Sequence, residues 1–247
     1  MKLLSEKQNV LYAQSHWALL LIFQGMDAAG KDSTIKHVMS GVNPQGVDVY
    51  SFKSPSSEEL AHDFLWRTTR CLPPRGKIGI FNRSNYEEVL VVRVHPEFLD
   101  KQRIPGSLRG DHFWKDRYED IASLERYLAR NGIAIRKFFL HISKKEQKKR
   151  FMERLDNEDK HWKFSADDVK ERKYWDEYQD AYEKMIRNTA TEYAPWVIVP
   201  ADNKWFSRLL VVATIVDALD SLSLEYPKVT AAQLAALKAA RKQLEEE

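Results

Sequence analysis

Residues 18–24 form an apolar run that ends in a glutamine and meets Gly25, as expected of a strand buried on both faces of a sheet. Further β-rich runs at 48–52, 78–82, 133–141 and 196–199 predict four more strands, the last stopped by Pro200. Between them the apolar spacing changes to a helical period. Residues 33–40 predict a helix stopped by Gly41, and 111–130 a long amphipathic helix closed by Asn131 and Gly132. Three Ser-x-x-Glu spacings, Ser56/Glu59, Ser84/Glu87 and Ser143/Glu146, read as capping boxes. They predict a helix from 56 to about 70, another from 84 that Pro96 must end, and a third from 143. Long helices are expected at 166–190 and 204–222, a loop at 100–110, and a terminal helix in the Ala-, Lys- and Glu-rich tail from Thr230. Strands alternating with helices define an α/β fold with a parallel sheet covered on both faces. Ligands in such folds sit beyond the carboxyl ends of the strands.

Bulk composition narrows the class. The chain has 247 residues, 43% of them hydrophobic and 30% charged, which predicts an ordered domain with a sizeable core. The longest apolar run is far too short to cross a bilayer, and the N-terminus shows no secretion signal. Cys71 is the only cysteine, so no intramolecular disulfide can form; these features together predict a cytoplasmic protein with no membrane partner. Net charge is only +3, but Lys144, Lys145, Lys148, Lys149, Arg150 and Arg154 cluster, with Lys160 and Lys163 close behind. Such a run attracts polyanions, and equally serves as a solvated helix face. His95, His112, His141 and His161 lack metal-ligand spacing, and no nucleic-acid-binding module is recognisable.

The first strand carries the chemistry. Gly25-Met26-Asp27-Ala28-Ala29-Gly30-Lys31 lies between a predicted strand and a predicted helix, the context of a phosphate-binding P-loop. Glycines let backbone N–H groups approach phosphate oxygens, the helix start adds partial positive charge, and Lys31 adds a full one. The usual pattern has Ser or Thr directly after the lysine. Here Asp32 intervenes before Ser33 and Thr34, so ligation of magnesium by the usual hydroxyl is open, with Asp27 or a water as alternatives. The third strand runs into Asn82 and Arg83, where P-loop enzymes commonly place a carboxylate. An amide oxygen can bind magnesium or orient its water, and the guanidinium offers a forked donor to phosphate.

These residues resemble the type 2 polyphosphate kinases. The likeness runs through the P-loop up to Asp32, through Phe81-Asn82-Arg83-Ser84-Asn85-Tyr86-Glu87-Glu88 and on to Pro96, through His62-Asp63-Phe64-Leu65-Trp66-Arg67, and through Asp159-Lys160-His161-Trp162-Lys163-Phe164. It covers about residues 11 to 222, and the final tail carries no motif. The resemblance implies a nucleoside-monophosphate-kinase-like P-loop three-layer sandwich, a single domain with a helical lid at about 144–175 and a tail at about 228–247. It implies transfer of the terminal phosphate of inorganic polyphosphate to AMP and/or ADP, giving ADP and ATP reversibly. Magnesium, or manganese in its place, is the implied cofactor, with guanine nucleotides as further substrates and a homo-dimer or tetramer as the assembly. Asn82, where many members have Asp, resembles the subgroup that accepts both mono- and diphosphates.

By the same resemblance Lys31 contacts the transferring phosphate, and Asp27 coordinates magnesium or orients the acceptor. Asn82 and Arg83 take the place of an Asp-Arg pair, which makes Asp27 and Asn82 the candidate metal ligands. Arg150 or Arg154 reaches down from the lid. Gly25, Met26, Ala28, Ala29, Gly30, Asp32, Ser33 and Thr34 line the phosphates, with Lys36, Arg93, Lys160 and Lys163 as further cations. Two rival readings remain: an ATP-dependent nucleoside-monophosphate (thymidylate-like) kinase, separated by its donor, and a nucleotide-binding regulator, separated by the lack of turnover.

Overall fold

The computed structural model describes residues 2–246. Five parallel strands, β1 (Ala18–Gln24), β2 (Val47–Ser51), β3 (Ile78–Asn82), β4 (Ile133–His141) and β5 (Trp196–Pro200), form one sheet in the order β2-β3-β1-β4-β5. β1 lies at the centre, with Leu21 beside Ile80 on one flank and Arg136 on the other. Every residue of β1 and β3 is buried, which is why both read as unbroken apolar runs rather than alternating ones. The switch in strand order falls at β1, so the loops after β1, β3 and β4 open on one edge at the place where such sheets bind ligands.

In chain order the helices are α1 (Lys2–Gln14), α2 (Lys31–Val38), α3 (Trp66–Thr69), α4 (Val91–Val94), α5 (Phe113–Arg130), α6 (Lys144–Leu155), α7 (Ala166–Glu171), α8 (Trp175–Thr189), α9 (Lys204–Asp220) and α10 (Ala231–Glu245). α1 lies against α9, burying Leu4, Gln8 and Leu11; its narrow apolar face gave the sequence pattern little to read. Among the described residues, no helix is long and apolar enough to cross a membrane.

Three helix expectations are corrected. The box at Ser56/Glu59 forms, with Ser56 N–H donating to Glu59 Oε2 at 2.7 Å. It starts only a 3-10 turn, because Asp63 then caps Leu65 N–H and opens the short α3 instead. The helix expected from Ser84 is a 3-10 turn, Asn85–Val89, followed by α4. Ser84 caps Tyr86 N–H, while the Glu87 carboxylate accepts from the Gln24 amide instead of closing the box. The helix expected over 166–190 is broken into α7, a 3-10 turn at Arg172–Tyr174, and α8. At the break, Glu171 accepts from Tyr178 Oη at 2.8 Å and lies 3.0 Å from His95 Nε2, and Arg172 turns to Gln147.

A buried charge pins these layers together. Lys137, in β4, is fully buried and donates to Glu125 Oε2 of α5 at 2.6 Å, Tyr86 Oη at 2.8 Å and Thr189 O of α8 at 2.8 Å. Tyr86 Oη in turn donates to Glu125 Oε1 at 2.6 Å. One ammonium therefore ties the sheet to two helices and to the segment that carries Arg83.

Candidate active site

The loop after β1 turns sharply because three of its residues hold positive φ: Gly25 at +157°, Ala28 at +61° and Gly30 at +103°. A Cβ at Gly25 would stand 2.8 Å from Leu140 O, so only glycine lets the loop lie this close to β4. Lys31 opens α2 and is 8% exposed; its Nζ donates to Gly25 O at 2.5 Å and more weakly to Met26 O at 3.3 Å. An ammonium has three donors, so one is left for a ligand. Burial, and then the charge of Arg83, push the Lys31 pKa down to about 8, against the pull of Asp27, Glu87 and Asp32.

Arg83 follows β3 with φ +63°, a left-handed turn that swings its side chain over the P-loop. Its Nη2 donates to Asp27 Oδ1 at 2.7 Å. Asn82 Nδ2 donates to Asp32 Oδ1, so the third-strand amide and the second acidic residue of the loop are held together. The structure thus brings Asp27, Lys31, Asp32, Asn82 and Arg83 to one edge. Ser33 spends its hydroxyl on Gly30 O at 2.9 Å, and Thr34 is buried.

A cleft beside the loop is lined by Gly25, Met26, Asp27, Arg83, Glu87, Asp168 and Arg172, among others. Asp168, Gln147 and Arg172 carry no sequence signal of a site, and the capping-box spacing of Glu87 points only to a helix start, yet its carboxyl faces the cleft. Burial raises its pKa while Arg83 and Lys31 oppose the rise, and the Gln24 amide, turned with its nitrogen toward Glu87, donates to it at 2.8 Å. Burial and the charge of Asp27 raise Asp168, against Arg154, Arg83 and Lys31.

The other expected cations are distributed differently. Arg154 extends to Asp168 Oδ2 at 3.4 Å and so stands near the cleft wall. Arg150 does not reach into the cleft: it is 7% exposed, and its guanidinium donates to backbone oxygens of Ala28, Ala29, Ala201 and Asp202 and to Glu146. Arg93 lies over the rings of Trp114 and Tyr118, away from the loop. Lys36 is exposed on α2 and Lys160 on the 3-10 turn Glu158–Lys163; neither lines the cleft. The side chain of Lys163 falls outside the described residues.

Among the described residues, no three acidic, His or Cys side chains form a ready metal cage. Magnesium does not require one, since it commonly binds through one or two carboxylates, waters and substrate phosphates. The free oxygen of Asp27, the Asp32 carboxylate and Asn82 Oδ1 suit that partial shell.

A parallel sheet with order β2-β3-β1-β4-β5, a glycine-turned loop after its central strand, and Lys31 and Arg83 bonded to that loop define a P-loop phosphotransferase of the α/β class. The family is specific. The profile of Polyphosphate kinase 2 (PPK2) matches residues 2–227, and the chain belongs to that family. It is 56% identical over 242 residues to an ADP-polyphosphate phosphotransferase of Rhodopseudomonas palustris, covering 98% of this chain and 84% of the relative. It is 48% identical over 225 residues to an AMP/ADP-polyphosphate phosphotransferase of Meiothermus ruber, covering 91% and 80%. The crystal structure of polyphosphate kinase 2 from Arthrobacter aurescens superposes with a TM-score of 0.87 at 42% identity, over 96% of this chain and 83% of that one.

Proposed function

We propose that the protein transfers the terminal phosphoryl group of inorganic polyphosphate to both AMP and ADP, with magnesium. The observation that carries this reading is the convergence of Lys31, Arg83 and Asp27 on the P-loop of a chain in the polyphosphate kinase 2 family. The names of the Rhodopseudomonas and Meiothermus relatives support the nucleotide acceptors. An oxygen of the acceptor's terminal phosphate attacks the end phosphorus of the chain. The bridging P–O bond breaks, and the shortened chain leaves as an oxyanion. The attacking oxygen is already ionised near neutral pH, so no strong general base is needed, and positioning with charge compensation carries the reaction. Lys31 and Arg83 meet the negative charge on the transferring group. Asp27 holds the guanidinium in place, and with Asp32 and Asn82 it would supply oxygen to a bound magnesium ion. The metal, when bound, neutralises phosphate charge that the protein's cations leave uncovered.

The acceptor range is tested by supplying AMP and ADP separately with polyphosphate and magnesium. ADP formed from AMP, and ATP from ADP, is the expected result; turnover of ADP alone would overturn the broad range. A second prediction concerns Lys31, held at about 8 in the protein alone. Phosphate raises the pKa of an ammonium beside it, so binding of tripolyphosphate at about pH 8.5 takes up a proton, and affinity falls as pH rises further. Calorimetry without magnesium, in buffers of different ionisation enthalpy, reads the uptake by Lys31 as the difference between the parent and Lys31→Met; no difference between the two would contradict it.

A further inference from the structure

α6 runs beneath the P-loop and spends two buried side chains on it. Gln147 Nε2 donates to Asp27 O at 3.0 Å, and Arg150 Nη1 donates to Ala28 O and Ala29 O, each at 3.0 Å. Gln147 is 2% exposed and Arg150 7%. Three successive carbonyls of the loop are therefore drawn to one side. In a trans peptide the N–H points opposite to the C=O of the same plane. The amides that follow these carbonyls belong to Ala28, Ala29 and Gly30, and they are turned away from α6. Only the Ala29 amide is spent within the loop among the described residues, on Met26 O at 3.1 Å.

The fixing is itself fixed. The other half of the Arg150 fork donates to Ala201 O at 2.6 Å and Asp202 O at 3.3 Å beyond β5, and its Nε to Glu146 at 2.9 Å. Gln147 Oε1 accepts from Arg172 Nη1 at 2.6 Å, which leaves the amide nitrogen facing Asp27 O. Arg172 lies in the turn after α7 and lines the cleft.

We propose that Gln147 and Arg150 are positioning residues that orient the loop amides toward the phosphates of the donor, and that Arg172 holds Gln147 in the working orientation. The inference rests on the reading that the P-loop takes the donor. It separates Arg150 from the arginines that meet substrate directly.

Gln147→Glu is the discriminating variant, because it keeps an oxygen for Arg172 and removes the N–H that reaches Asp27 O. Arg150→Lys keeps the charge but cannot span carbonyls on both sides of the fork. The kinetics are measured with whichever donor the parent turns over, tripolyphosphate or ATP, so failure of the donor assignment is read separately from the variant-to-parent ratio. Both variants are expected to lose about tenfold to 10²-fold in kcat, since a loop displaced by an ångström costs that much. The KM for ADP is expected to stay near the parent value. Both variants leave buried carbonyls unpaired and are expected to melt a few degrees lower, so kcat is read at a temperature where each is still folded. A folded Gln147→Glu protein within about twofold of the parent kcat overturns the proposal. So does an Arg150→Lys protein that keeps full activity, because charge alone would then suffice.

Discussion

Lys31→Ala is expected to lower kcat by about 10³-fold or more, the scale on which a single cation at the transferring phosphoryl group acts. Lys31 is the buried cation of the loop, seated on Gly25 O and Met26 O with a donor left over. The KM for the nucleotide should change far less, because the charge is needed most where negative charge moves between oxygens. Unfolding should not account for the loss. Burial already disfavours this ammonium, as its lowered pKa records, so its removal lifts a desolvation cost. Steady-state rates with a thermal melt check both halves. Activity within about tenfold of the parent would remove Lys31 from the reaction.

The second large effect lies away from the chemistry. Glu125→Leu leaves the Lys137 ammonium buried without its counter-charge, and Tyr86 Oη without its acceptor. Breaking such a pair from one side costs about 3–5 kcal/mol. For a chain of this size each kcal/mol lowers the melting midpoint by about 2–4 °C. The double variant Glu125→Leu with Lys137→Met should regain most of the loss, because neither charge of the pair then remains buried there. Denaturant unfolding of the parent, both single variants and the double variant measures the coupling. A double variant as unstable as Glu125→Leu would contradict the account.

The strands were legible because burial on both faces writes itself as an uninterrupted apolar run, and the P-loop because its glycines and lysine sit between a strand and a helix. Short-range helix signals were less faithful. Ser84 and Glu87 have capping-box spacing, yet Glu87 is drawn to Gln24 at the end of β1, a partner sixty-three positions earlier in the chain. The same displacement hid Glu87 as a member of the site. Arg150 and Arg154 share a helix face by spacing, but α6 dips under the loop at Arg150 and leaves it by Arg154, and only tertiary contacts reveal where that change falls. Arg93 belongs to a stretch shared with the family, and the rings that hold it come from α5, which local sequence cannot point to.

The central claim is that the P-loop takes its phosphate from inorganic polyphosphate. The purified protein with magnesium and ADP is given a polyphosphate chain in one reaction, and the same protein with AMP is given ATP in another. Formation of ATP from polyphosphate, with AMP phosphorylation by ATP far slower, is the result this account predicts. Phosphorylation of AMP by ATP with no product from polyphosphate would contradict it and identify an ordinary nucleotide kinase.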